Sequence, residues 1–116
     1  MLRRGNVLAI GAYEAVWLFV GFDLPTLTKE DRKRAHRFRQ DLLDLGFSMF
    51  QLSFYKYYFP SHQKAESVAK RIENLIPANG KVCVFFITDK QFGMIKTYCG
   101  GKIKAEYPPE QGLLFL

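Results

Sequence analysis

The sequence predicts an α+β domain, in which a sheet of four or five strands is covered by helices on one face. Three observations lead to this class. Two short runs are apolar at odd and even positions, two longer segments carry apolar residues at helical spacing, and an aromatic segment alternates at strand spacing. The length of 116 residues suits one domain. We assign residues 14–100 to this domain and residues 1–13 to a loosely ordered N-terminal extension.

The first strand is predicted over residues 15–22, which are apolar at both odd and even positions. A strand of this composition must be buried on both faces of its sheet. It ends at Asp23, Leu24 and Pro25, because proline lacks the N–H group that strand pairing needs.

The first helix is predicted to begin after Thr28, with Asp31 three residues on in a pattern close to a capping box. Gly46 is well placed to end it. The residues at helical spacing that would form its buried stripe are Ala35, Phe38, Leu42 and Leu45.

The remaining elements follow in order. Residues 47–59 alternate at strand period but exceed the usual strand length, so they form one bent strand or two strands in a tight reversal. A second helix is predicted over 61–75, followed by a turn at 77–80 and a second two-sided apolar strand at 81–88. Residues 89–93 suit one helical turn, and 94–99 a short strand.

The apolar strands predict a homodimer. Two helices shield only one face of the sheet, yet residues 15–22 and 82–88 are apolar on both faces. A partner subunit packed sheet to sheet would cover the second face. Residues 101–116 form a C-terminal arm, and its apolar end at 113–116 could add a strand to the edge of the partner's sheet.

The charge balance favours an anionic partner. Seventeen Lys and Arg against eleven Asp and Glu give a formal net charge of +6, which attracts nucleic acid, although ordinary soluble domains also carry such a charge. Cys83 and Cys99 have neither disulfide-framework nor zinc spacing, which suits a reducing cytoplasm. The strongest apolar run near the N-terminus, residues 15–22, is too short to span a membrane.

Asp23 is the main candidate for chemistry, as both catalytic residue and metal ligand. It follows eight apolar residues and precedes a proline turn. One interpretation is an Asx-type turn before Pro25. The other is a functional carboxylate: in a symmetric dimer, two such aspartates could share Mg²⁺ or Mn²⁺, which prefer oxygen ligands, water and substrate phosphate.

The first helix carries the candidate nucleic-acid contacts in its N-terminal half. The helix dipole favours the opposite placement of charge, so this cluster suggests phosphate binding, while a plain solvated face is the alternative. The candidate residues are Lys29, Arg32, Lys33, Arg34, Arg37 and Arg39.

Other chemistry finds little support. His36 and His62 have no partner at triad spacing and are expected on the surface, and Ser53 lacks the glycines of a nucleophile elbow. The aromatic residues of 47–59 could stack on bases, but they lack the pattern of an RNA-recognition domain and are expected in the core or an interface.

Three motifs in this order resemble one family. They are Phe22-Asp23-Leu24-Pro25, the Q-x-S-x-Y strand of Gln51 to Tyr55, and the T-D-K-Q sequence that begins at Thr88. Together, over residues 16–101, they are similar to the CRISPR-associated protein two family, in the variety found in type II systems.

The resemblance implies a ferredoxin-like βαββαβ fold with an antiparallel sheet, so residues 47–59 would form a hairpin. It implies a homodimer with a C-terminal strand exchanged onto the partner, and a divalent metal bound by Asp23 at the interface. The implied role is spacer acquisition, in which the dimer bridges CRISPR integrase dimers and holds double-stranded DNA. Some members are metal-dependent nucleases for RNA or double-stranded DNA, an activity dispensable for acquisition.

The sequence departs from the family pattern in places. Met49 stands where other members carry arginine, Tyr55 replaces a common phenylalanine, and both the N-terminal extension and the loop after Asp23 are longer. These departures weaken the case for hydrolysis more than that for DNA binding. The alternative function on the same fold is a toxin-like endoribonuclease or a small RNA-binding domain.

Overall fold

The computed structural model describes residues 11–100. The predicted C-terminal arm, with its exchanged strand, and residues 1–10 of the predicted extension lie outside this part. The elements, in chain order, are β1 (Val16–Asp23), α1 (Lys29–Asp44), β2 (Ser48–Gln51), β3 (Phe54–Phe59), α2 (His62–Glu73), β4 (Lys81–Thr88) and α3 (Asp89–Gly93).

The four strands form one open antiparallel sheet in the order β2-β3-β1-β4. With α1 between β1 and β2 and α2 between β3 and β4, this is the ferredoxin-like arrangement, so the predicted α+β class is confirmed. Residues 47–59 form a hairpin that turns at Leu52 and Ser53, with an irregular register between Met49 and Gln51.

Helix α1 begins and ends as its sequence predicts. The Asp31 N–H donates to Thr28 Oγ1 at 2.9 Å, and the Thr28 N–H donates to the Asp31 carboxylate at 3.2 Å. The Thr28 amide and, next, the Arg34 side chain hold the pKa of Asp31 below its usual value. Gly46 follows the helix at φ 103°, a conformation that side chains disfavour.

The core lies between the sheet and the helices α1 and α2. Val16, Leu18, Val20 and Phe22 point from β1 into it, and Phe38 and Leu42 enter from α1. The predicted stripe of α1 is thus confirmed, with Ala35, Phe38 and Leu42 buried and Leu45 packed at the margin. No helix in residues 11–100 has both the length and the apolar character needed to cross a membrane.

The opposite face of the sheet carries the second set of strand residues. We call it the open face. The strand register places on it Trp17, Phe19, Phe54, Lys56, Tyr58, Phe85 and Ile87. As predicted, β1 is largely buried on both faces. The expected burial of β4 on both faces is not met within one chain, because β4 is an edge strand: Val84 is 38% exposed and Phe85 40%.

The short helix α3 folds onto one end of the open face. The Trp17 indole N–H donates to Asp89 Oδ1 at 3.0 Å, and the Phe92 ring stacks on Trp17 with centroids 3.8 Å apart. The predicted strand at 94–99 is wrong, since residues 94–100 hold no strand. The amides of Met94 and Ile95 instead donate to carbonyls of α3.

Candidate functional site

Asp23 is the last residue of β1 and lies at the end of the open face. Its partner in the register of β1 and β4 is Lys81, the first residue of β4. Within residues 11–100 no group donates a hydrogen bond to the Asp23 carboxylate, and the residue is exposed. The interpretation as an Asx-type turn therefore gains no hydrogen bond here, and the carboxylate is available to a ligand.

An open groove of about 350 Å³ adjoins this carboxylate. We call it the Asp23 groove. Its polar side chains are Asp23, Ser53 and Lys81, and its apolar part includes Phe54 and Phe85. Phe54 lies so close to Gly21 that a Cβ atom there would meet the ring at 2.7 Å. The glycine therefore allows the ring to lie over the strand beside the groove.

The donors in the groove fit a hard divalent cation only in part. In residues 11–100 no three His, Cys, Asp or Glu side chains come together as a metal site. One chain thus supplies one carboxylate, together with the Ser53 hydroxyl nearby. Mg²⁺ is commonly held by one or two carboxylates with water and substrate phosphate. A second Asp23, or a phosphate group, would complete such a site.

Arg32 is committed to the chain's own backbone. Its Nη1 donates to the carbonyl oxygens of Thr26 and Leu27, both at 3.1 Å. These bonds fix the loop that joins Asp23 to α1. Arg32 therefore supports the loop next to the candidate site, and fewer of its donors remain for a phosphate.

Two further arginines of the predicted nucleic-acid set also have partners. Arg34 Nη2 lies 2.7 Å from Asp31 Oδ1. The Arg39 guanidinium carbon lies 5.7 Å from the centroid of the Phe22 ring, within the range of a cation–π contact. The structure thus separates the predicted set into residues that bind their own chain and residues that do not.

The remaining three form a line along α1. We call Lys29, Lys33 and Arg37 the basic stripe. They recur every four residues, a spacing that places side chains on one side of a helix. Within residues 11–100 Lys29 and Lys33 have no ion pair, and Arg37, whose side chain is 82% exposed, reaches Asp41 only at 4.0 Å. These three are the best placed to bind phosphate.

Lys56 is a cation in the middle of the open face. Its Nζ donates to Ser48 Oγ at 2.9 Å and lies 5.5 Å from the centroid of the Trp17 ring. Burial lowers the pKa of Lys56 below the usual lysine value of 10.5. A charge on this apolar surface is a cost that any partner covering the open face must meet.

Comparison with known proteins decides the family. The family model described as CRISPR associated protein Cas2 matches residues 16–95. The chain belongs to the Cas2 family. A relative from Flavobacterium psychrophilum is 47% identical over 91% of this chain and 93% of its own length. Another, from Paracidovorax avenae, is 39% identical over 89% of this chain and 96% of its own length. Both relatives are named CRISPR-associated endoribonuclease Cas2.

The motifs behind the predicted Cas2 resemblance have clear places in the fold. Phe22-Asp23-Leu24-Pro25 ends β1, and Gln51 to Tyr55 forms the turn of the hairpin. Thr88 and Gln91 form a capping box at the start of α3. The two departures from the Cas2 pattern, Met49 and Tyr55, both face the core, where burial raises the pKa of Tyr55.

Sequence reasoning missed two neighbours of the Cas2 site. Lys81 enters the Asp23 groove through strand pairing, and only a known strand order would have paired β4 with β1. Lys56 was hidden within an aromatic segment. Its alternation with Phe54 and Tyr58 was the available signal, since all three share one face of β3. His62, expected on the surface, is partly buried against Phe86.

Proposed function

We propose that this member of the Cas2 family acts in the cytoplasm in CRISPR spacer acquisition, as in type II systems. In this role a homodimer holds double-stranded DNA and bridges CRISPR integrase subunits. The observation that carries the proposal is the open face, an apolar surface on the side of the sheet that α1 and α2 leave uncovered.

A second copy of the chain is the proposed occupant of the open face. Phe54, Tyr58 and Phe85 are each between 36% and 42% exposed there, so their burial would provide a hydrophobic driving force. A symmetric sheet-to-sheet pairing would cover them on both copies at once. Such a pairing could also bring two Asp23 carboxylates to one interface.

The basic stripe is the proposed DNA-binding surface. α1 packs on the covered face of the sheet through Phe38 and Leu42. A second copy on the open face therefore leaves α1 accessible. Two basic stripes in one dimer would give a long duplex two sets of phosphate contacts, with affinity that falls as salt rises.

A metal-dependent endonuclease for RNA or double-stranded DNA is the second candidate. The exposed Asp23 carboxylate and the names of the relatives favour it. When bound, Mg²⁺ or Mn²⁺ would supply Lewis-acid activation of water and phosphate. Asp23 would hold the cation, and Ser53 and Lys81 would contact the substrate next to it.

One experiment separates the two candidates. Asp23→Ala is compared with Glu73→Ala, an exposed carboxylate of α2, in two assays: Mg²⁺-dependent cleavage of RNA and duplex DNA, and integration of a duplex by the integrase subunit from the same locus. For the bridging role we expect Asp23→Ala to lose any cleavage while integration stays within about twofold of the control, a free-energy change below about 0.5 kcal/mol.

Loss of both activities in Asp23→Ala alone would contradict a purely bridging role. Cleavage of RNA without any complex with the integrase would instead favour the toxin-like endoribonuclease. Binding of single-stranded RNA by the open face, with no dimer, would favour an RNA-binding domain.

A further inference from the structure

We propose that Lys81 is a functional residue of the Asp23 groove, where its ammonium binds a nucleic-acid phosphate and opposes cation binding at Asp23 when nucleic acid is absent. This inference rests on the proposed function, because it requires a cation at Asp23 and nucleic acid beside it.

The strand register brings the two side chains together. Asp23 and Lys81 are the last pair in the ladder between β1 and β4, which is antiparallel. Residues directly opposite each other in such a ladder point to the same face, with Cβ atoms about 5 Å apart. Both side chains line the same groove. A ligand that contacts the Asp23 carboxylate therefore lies within reach of the Lys81 ammonium.

Lys81 is not used by the chain itself in the described part. No carboxylate of residues 11–100 lies within 4.0 Å of its ammonium, Asp23 included, and the residue is exposed. This distinguishes it from Arg32 and Arg34, whose donors already have partners. Its charge is thus free for a ligand in the groove.

The backbone of Lys81 is nevertheless held in place. A Cβ atom on the preceding Gly80 would lie 2.6 Å from Leu24 Cδ2, so this turn packs directly against the residue that follows Asp23. The Gly80 N–H also donates to the Pro77 carbonyl at 3.0 Å. The start of β4 and the end of β1 are therefore fixed to each other, and the Asp23 groove has a defined width.

The charge count in the groove explains both effects. Asp23 and Lys81 together are neutral, and a divalent cation at Asp23 raises the local charge to +2. Phosphates of a nucleic-acid strand can neutralise this charge. Without nucleic acid the ammonium repels the cation, since like charges several ångströms apart interact even in water. Lys81 would therefore favour a cation bound together with nucleic acid over a cation bound alone.

The test removes this charge without changing side-chain length. Lys81→Met is compared with Lys64→Met, an exposed lysine of α2. The first measurement is the affinity for Mn²⁺ alone, by electron paramagnetic resonance of free Mn²⁺. We expect Lys81→Met to bind Mn²⁺ about three- to tenfold more tightly than the control variant, from the Coulomb energy of a divalent ion near one charge.

The second measurement is the affinity for a DNA duplex in Mg²⁺ as a function of salt. Removal of one phosphate-binding group per chain should reduce the slope of log K against log salt by about 0.9 in Lys81→Met. Lys81→Arg should keep the wild-type slope. Fluorescence of Trp17 and circular dichroism establish that each variant is folded.

The outcomes distinguish this inference from the proposed function. If Asp23→Ala abolishes Mn²⁺ binding while Lys81→Met matches the Lys64→Met control in both measurements, the inference about Lys81 is wrong and the metal role of Asp23 stands. If Asp23→Ala leaves Mn²⁺ binding unchanged, both are wrong.

Discussion

Lys56 places a positive charge among aromatic rings at the centre of the open face. The residues around it are Trp17 and Phe19 from β1, Ser48 from β2, and Tyr58 on its own strand. The nearby carboxylate of Asp89 is bonded to the Trp17 indole rather than to Lys56. A hydroxyl and a ring face therefore stabilise the ammonium, without an ion pair in the described part.

This environment predicts a pH dependence. Because burial lowers the pKa of Lys56 in the folded protein, the unfolded chain binds more protons at alkaline pH. The free energy of unfolding should therefore rise relative to Lys56→Met as pH rises from neutral toward the usual lysine pKa of 10.5. Since the side chain is partly exposed, we expect only a fraction of the roughly 1.4 kcal/mol that one pKa unit represents.

Chemical denaturation of wild-type, Lys56→Met and Lys64→Met proteins over this pH range checks the prediction. Lys64 is the control because it is exposed on α2. Stability curves for wild-type protein and Lys56→Met that remain parallel across the range would contradict it.

At the scale of the element, α1 combines two kinds of basic residue. Arg32 and Arg34 stabilise its N-terminal end and the loop before it, whereas the basic stripe has few partners. The capping box and Gly46 were predictable because the signals are local, a few residues apart in the sequence. The role of Arg32 was not, because it depends on the path of the loop at 24–28.

The basic stripe makes its own prediction. Charge reversal at Lys29, Lys33 and Arg37 should weaken duplex binding and lower the salt slope by about 0.9 for each phosphate that is no longer bound, or about 2.7 if all three residues bind one. The measurement is a salt titration of DNA affinity. The control reverses Lys64, Lys70 and Arg71 on α2, which changes the net charge equally. Equal weakening in both triple variants would mean that only total charge matters.

At the scale of the whole molecule, the dimer is tested by two neighbouring residues of β4. Phe85 and Val84 are almost equally exposed but point to opposite faces of the sheet. Phe85→Ser removes an apolar side chain from each of two packed open faces, and we expect it to weaken association by at least about tenfold. Val84→Ser should have a smaller effect.

Sedimentation equilibrium at micromolar concentration measures both variants against wild-type protein. A monomeric wild-type protein, or equal weakening by the two substitutions, would contradict the sheet-to-sheet dimer.

The fold was predictable in its elements and its class, because burial patterns along β1 and α1 report directly on packing. The Asp23 groove was predictable only for Asp23 itself. Ser53 and Lys81 reach it through pairings between segments distant in sequence, and no pattern within β3 or β4 carries that information. The strand predicted at 94–99 failed for a related reason: strand-like composition does not supply a pairing partner.

The central position of β1 also determines the order in which the protein can be completed during synthesis. β1 pairs with β3 on one side and β4 on the other, and β4 is the last strand described. Until residues 81–88 leave the ribosome, one edge of β1 has unpaired amides and carbonyls, the kind of edge that templates aggregation. A nascent chain therefore displays its basic helix before the groove beside Asp23 exists.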